Sequence, residues 1–194
     1  MTQKRTNSKP VSLNTLLNST NMADIYNLVP LIFKWEGGFA NDKDDNGGAT
    51  MCGVTLTTYK RYCAKKGRPD PTVDDLKKIT RETCVDILRV FYWNPAKADN
   101  IKNQSIANLI VDNCWGSGTG WLKKVQQVAG VAADGIVGPK TLAAINNANQ
   151  KELFTALWNR RKKFYADICS KNPTQKKFLR GWLNRLNDFK FTEQ

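Results

Sequence analysis

Two carboxylates and a hydroxyl stand at short spacing in this chain. Glu36 lies in Trp35-Glu36-Gly37-Gly38-Phe39, where a helical pattern stops. Asp45 and Thr50 follow in the polar stretch Asn41-Asp42-Lys43-Asp44-Asp45-Asn46-Gly47-Gly48-Ala49-Thr50. A pair of carboxylates at different depths is the minimum equipment for breaking a glycosidic bond. Glu36 at a helix C-terminus would feel the negative end of the macrodipole and, beside Trp35 and Phe39, a poor environment for charge, which suits a group that must hold a proton. Asp45 could hold a water or stabilise positive charge on the sugar, Thr50 could orient that water, and Asp42 could anchor the loop. Each residue also has a plain structural reading: a solvated glutamate before a glycine stop, and an Asx-rich turn. Ca²⁺ is a third reading of Asp42, Asp44 and Asn46, but the stretch lacks the closing glutamate of an EF-hand loop. No metal and no other cofactor is expected.

Composition removes competing chemistries. The 194 residues contain no histidine, so Ser-His-Asp and Cys-His hydrolysis and His-ligated zinc are closed to this chain. Five cysteines with no Cys-x-x-Cys pair argue for buried thiols rather than a disulfide framework or thiolate metal site. The net charge of +13 directs the chain to polyanions, whether nucleic acid, anionic membrane or acidic cell wall. The acidic cluster at Asp42, Asp44 and Asp45 argues against a nucleic-acid partner. The longest apolar run, from Leu28 to Phe33, is too short to span a bilayer and contains Pro30, so the chain is not expected to be an integral membrane protein. No signal-peptide apolar core is visible, so the protein is expected to be made in the cytoplasm.

The elements that must position these residues read as helices. Residues 1–21 are polar and read as a flexible arm. From Asp24, Ile25, Leu28, Val29, Ile32 and Phe33 recur at helical spacing, with Pro30 marking a kink or the true start, and Gly37-Gly38 supplying a left-handed stop. Val54-Thr55-Leu56 reads as a short strand, in a small hairpin at most. Thr57 or Thr58, Thr72, Thr80 and Thr119 are candidate helix caps. A helix around Ile106, Leu109 and Ile110 is expected to break at Gly116-Ser117-Gly118. Pro139, at a first helical position, opens another helix. Long amphipathic helices follow over Lys151–Cys169 and Pro173–Phe189, and Arg160-Arg161-Lys162-Lys163 reads as a solvated face.

Taken together, Glu36-Gly37-Gly38-Phe39, Asn41-Asp42, Asp45, Gly47-Gly48-Ala49-Thr50, Gly53 and Val54-Thr55 resemble the signature of glycoside hydrolase family 108, the lysozyme-like N-acetylmuramidases that include phage endolysins and secretion activator proteins. The resemblance spans about residues 22 to 190. It implies a mostly α lysozyme-like fold and cleavage of the β-1,4 bond between N-acetylmuramic acid and N-acetylglucosamine. It places the catalytic acid on Glu36, with Asp45 and Thr50 completing the glutamate–aspartate–threonine pattern. A holin-like membrane partner for export, followed by action on the wall, is a further implication. Asp112-Asn113-Cys114-Trp115-Gly116 resembles a helix end lining the family's cleft, although Gly116 stands where asparagine is expected. Asp42, Tyr59, Asn113 and Trp115 are the candidate substrate contacts. The stretch Gln126-Gln127-Val128-Ala129-Gly130-Val131, then Ala133-Asp134-Gly135-Ile136-Val137-Gly138-Pro139, resembles a peptidoglycan-binding motif that serves mainly as a folding unit. The expected organisation is an arm at 1–21, a catalytic region at 22–118 and a helical peptidoglycan-binding-like region at 119–191, packed as one unit. A lytic transglycosylase, or a non-catalytic wall-binding or secretion-accessory protein, is the alternative.

Overall fold

The computed structural model describes residues 22–40 and 49–193, and its architecture is mostly helical with a single two-stranded hairpin among the described residues. A 3₁₀ turn, Ile25–Asn27, is capped by Asp24, whose carboxylate accepts from the Tyr26 amide at 2.9 Å. Helix α1, Val29–Trp35, follows directly with Pro30 in its first turn, so the proline marks a start and not a kink. The helix does not stop by a left-handed glycine. Glu36 itself turns extended, at φ −94° and ψ 119°, and neither Gly37 nor Gly38 has positive φ.

The hairpin pairs β1, Thr50–Met51, with β2, Val54–Thr55, in antiparallel register Thr50↔Thr55 and Met51↔Val54. Its two-residue loop, Cys52-Gly53, takes positive φ at both positions (51° and 75°), the type I′ geometry that matches strand twist. β2 runs straight into α2, Leu56–Lys65, so the cap is Thr55 and not Thr57 or Thr58; its hydroxyl accepts from the Thr58 amide at 3.1 Å. Thr72 caps α3, Val73–Lys77, in a reciprocal capping box with Asp75, and Thr80 caps α4, Arg81–Leu88, both as the sequence indicates. Beyond α4 the chain continues into a π-helical turn, Arg89–Trp93, which no sequence signal announced.

Helix α5, Gln104–Ser117, is the centre of the molecule: Ser105 through Cys114 are all buried, as expected of a helix covered on every side. It runs through Gly116 and ends at Gly118, whose φ of +76° supplies the stop. A 3₁₀ turn, Thr119–Trp121, leads into α6, Leu122–Val128, with no side-chain cap from Thr119. Pro139 opens α7, Pro139–Asn147. Helix α8, Gln150–Lys171, packs on α5, and α9, Lys176–Asp188, packs on α8.

Apolar burial divides into two clusters. The larger surrounds α5 with Leu28, Ile32, Trp93, Ile106, Leu109, Ile110 and Leu157; the smaller gathers Val54, Tyr62, Leu76 and Ile87 beneath the hairpin. Phe33 and Trp115 pack against both. Glu36, one turn beyond Phe33, therefore lies where the two clusters meet.

Candidate active site

Three distant segments converge on the Glu36 carboxylate. Its Oε1 accepts the Trp115 indole N–H at 2.9 Å and the Arg185 Nη1 at 2.7 Å. Arg185 also donates Nε and Nη2 to Asp112 Oδ1, at 3.0 and 2.7 Å. The side chains of Glu36, Arg185 and Asp112 are 15%, 17% and 3% exposed, so this Glu–Arg–Asp chain is largely screened from water. Burial works against the Arg185 charge, but Asp112 and Glu36 outweigh it and hold the guanidinium above its ordinary pKa. Burial pushes the Asp112 carboxyl upward, and the charge of Arg185 draws it only part of the way back.

The fourth wall is backbone. A Cβ on Gly53 would overlap Oε2 and Cδ of Glu36, so the hairpin turn approaches the carboxylate as only glycine can. The same turn carries Thr50 three residues earlier on β1. Backbone bonds between Ala40 and Thr50, at 2.9 and 2.8 Å, bring together the described residues on either side of 41–48. Asp42 and Asp45, and with them Asp44 and Asn46, lie outside the described residues.

The surroundings of Glu36 differ from those read off the sequence. Trp35 donates its indole N–H to Asp188 at 2.6 Å, and Phe39 is exposed with Lys77 Nζ 5.1 Å over its ring. A cation and the Trp115 N–H occupy the place assigned to an apolar wall. Trp115 itself uses its ring edge-to-face against Tyr92, at 5.1 Å and 64°, so it packs as a site wall. The π-helical turn presents Tyr92 for that contact while Trp93, fully buried, donates to Asp99. Tyr59 stacks on Tyr62 in the smaller cluster, and no described contact joins it to Glu36. Asn113 is wholly buried, and neither atom of its amide has a partner among the described residues, so it stands behind the wall and not on a substrate surface.

Arg161 corrects another expectation. It is 3% exposed, enclosed by the rings of Tyr165, Trp121 and Phe164 at 4.6, 4.7 and 5.2 Å, and donates Nη1 to Ser117 at 2.7 Å. The basic stretch around it is thus not a uniformly solvated face. A Cβ at Gly116 would sit 3.0 Å from Arg161 Nη2, so the glycine, standing where the resemblance implies asparagine, leaves room for that guanidinium.

The Asp134-Gly135 turn is tied to α6 by one buried side chain. Gln126 donates to Asp134 Oδ1 at 2.7 Å and to the Ile136 carbonyl at 3.0 Å, and accepts from the Gly135 amide at 2.7 Å. This is the folding role read from the motif. Beside it lies a cavity of about 620 Å³ that includes Val131, exposed Ile136, Pro139 and Lys140. No helix of the described residues is long and apolar enough to cross a membrane.

Residues 29–118 match the family model described as Glycosyl hydrolase 108, and residues 119–187 the model described as Predicted Peptidoglycan domain. Among solved structures, the chain is similar to SagA of Brucella abortus, with 30% identity and a TM-score of 0.73 over 85% of this chain and 90% of that one. No curated protein matches it.

Proposed function

This chain belongs to the glycosyl hydrolase 108 family, with a peptidoglycan-domain segment after the hydrolase segment, and from that premise we propose that it is an N-acetylmuramidase acting on peptidoglycan. The bond cut is the β-1,4 link between N-acetylmuramic acid and N-acetylglucosamine, and Glu36 is the general acid. The observation that carries the reading is the Glu36 carboxylate itself: a mostly buried acid between two packed clusters, with Oε1 fixed by Trp115 and Arg185 and Oε2 against bare backbone at Gly53.

In this reading Glu36 delivers its proton to the glycosidic oxygen as the bond to the anomeric carbon breaks. The electron pair leaves with that oxygen, and positive charge develops on the sugar ring. Asp45 and Thr50 serve the water that then attacks the anomeric carbon. General-acid assistance of this kind contributes on the order of 10²–10⁴ in rate. Asp42 holds the loop, and wall contact extends to the Ile136–Lys140 surface. Action takes place on the wall, after release from the cytoplasm through a membrane partner.

The test is clearance of purified peptidoglycan by wild type and Glu36→Gln, with mass spectrometry of the ends produced. The proposal requires reducing N-acetylmuramic acid ends from wild type and near-complete loss in the variant. Ends of 1,6-anhydro type would mark a lytic transglycosylase. Wild type that binds the wall without cutting it would mark an accessory protein.

A further inference from the structure

The guanidinium that touches Glu36 comes from outside the segment matched to the hydrolase family. Arg185 lies on α9, within the segment matched to the peptidoglycan domain, 149 positions from its partner. We infer that Arg185 is a positioning residue for the catalytic acid, so that the hydrolase segment is incomplete without the C-terminal helix. This inference rests on the reading of Glu36 as the acid.

Three observations carry it. The first is geometry. Arg185 uses Nη1 for Glu36 and both Nε and Nη2 for Asp112, so a planar fork fixed at one end on a buried aspartate presents a donor at the other. A lysine ammonium has no such fork and cannot copy this span. The second is which oxygen is held. Trp115 and Arg185 both donate to Oε1. A carboxyl with or without a proton on Oε2 offers Oε1 as an acceptor, so the two donors can fix the orientation of the side chain in either form. Gly53 leaves the space that Oε2 occupies. The third is energetic. A largely buried ion pair contributes little stability beyond what an apolar replacement would give, so packing alone does not call for a Glu–Arg–Asp chain here.

Asp112 provides the counter-charge that lets Arg185 reside in the site. Arg161, enclosed by aromatic rings, adds a second positive charge that acts on Asp112 from behind. The C-terminal segment therefore contributes to the electrostatics of the site as well as to its wall.

The experiment uses the full chain and solubilised uncrosslinked glycan strands, so that kcat and KM are read separately. Arg185→Met is expected to lower kcat by about 100-fold, the effect of an acid displaced by roughly an ångström, with KM little changed. Guanidinium ion, well below its denaturing range, is expected to restore part of that kcat, which a merely structural loss would not show. Arg185→Lys, folded by far-UV circular dichroism, is expected to recover only a fraction of the wild-type kcat, and it decides the question if Arg185→Met does not fold. A folded Arg185→Met or Arg185→Lys with wild-type kcat, a loss confined to KM, or an Arg185→Met loss that guanidinium leaves unchanged would overturn the inference. Glu36→Gln is assayed beside these. Activity in that variant removes the reading of the acid itself, whereas an inactive Glu36→Gln with a fully active Arg185 variant removes this inference alone.

Discussion

Gly53→Ala is a small change that reaches the Glu36 carboxylate without replacing any side chain of the site. Gly53 stands at φ +75°, where an alanine costs about 1–2 kcal/mol in backbone strain. The new Cβ would also overlap Oε2 and Cδ of Glu36 and lie 3.0 Å from Cγ, so the side chain must move. Moving it breaks or lengthens the bonds to Trp115 and Arg185 at 2.9 and 2.7 Å. Strain alone predicts a fall in melting temperature of about 2–8 °C for a chain of this size. Displacement of the acid by roughly an ångström predicts a loss of about 100-fold in rate. The control is Gly67→Ala, at φ +65° with nothing within 4 Å of its Cβ, which carries the same kind of strain and no contact with the site. Calorimetry should show the loss due to strain in Gly67→Ala and at least as large a loss in Gly53→Ala, and a peptidoglycan turbidity assay should show activity loss in Gly53→Ala alone. Equal activity in the two would refute the argument that the hairpin turn seats the carboxylate.

Other groups give separable outcomes. Burial and the hydrogen bond to Asp86, at 2.7 Å, push Tyr62 up to about 12, above its unfolded value near 10. Its contribution to stability is thus complete below pH 10 and lost as pH rises from there towards 12; ultraviolet titration of wild type against Asp86→Asn should show one tyrosine ionising earlier in the variant. Asp86 itself is held low, first by the Lys66 bond and then by Tyr62, so its contribution is present above the ordinary carboxylate range and fades as pH falls through its lowered value, which acid unfolding of the same pair should resolve. Cys63, Cys84, Cys114 and Cys169 are buried, and burial raises the thiols of Cys84 and Cys114 to about 12, so a thiol reagent near pH 8 should label only Cys52 rapidly in the native protein. Gln126→Ala strands the Gly135 amide and should cost about 1–3 kcal/mol in a urea or thermal melt while leaving the rate of glycan cleavage nearly unchanged.

The features legible in the sequence were those whose cause is local. Thr72 and Thr80 cap their helices because a hydroxyl needs only the amide three residues on, and Pro139 opens α7 because its fixed φ suits a first turn. Glu36 is conspicuous for the same reason, as the residue where helical periodicity ends. Of the partners of Glu36, Trp115 was marked as a site residue through the resemblance, but Arg185 was not legible. Arg185 reads as an ordinary basic residue of an amphipathic helix, and only the stacking of α9 on α8 and α8 on α5 brings it to the site. Arg161 sat within a run of four bases whose composition suggested solvent, although its pairing with Trp121 and Tyr165 is tertiary. The signal that could have found both is the aspartate in α5: an acid inside an otherwise apolar helical run needs a buried cation, and Asp112 is 3% exposed. Trp35 and Phe39 misled because adjacency in sequence at a helix end does not fix which way a ring turns.

The most direct measurement of the central claim is the initial rate of glycan-strand cleavage by Glu36→Gln, with product ends identified by mass spectrometry. Glutamine keeps the shape and an acceptor for Trp115 and Arg185 while removing the transferable proton. The account predicts a fold that melts near wild type, reducing N-acetylmuramic acid ends from the wild-type enzyme, and a variant slower by about 10²–10⁴. A Glu36→Gln protein that cuts peptidoglycan at the wild-type rate would contradict it.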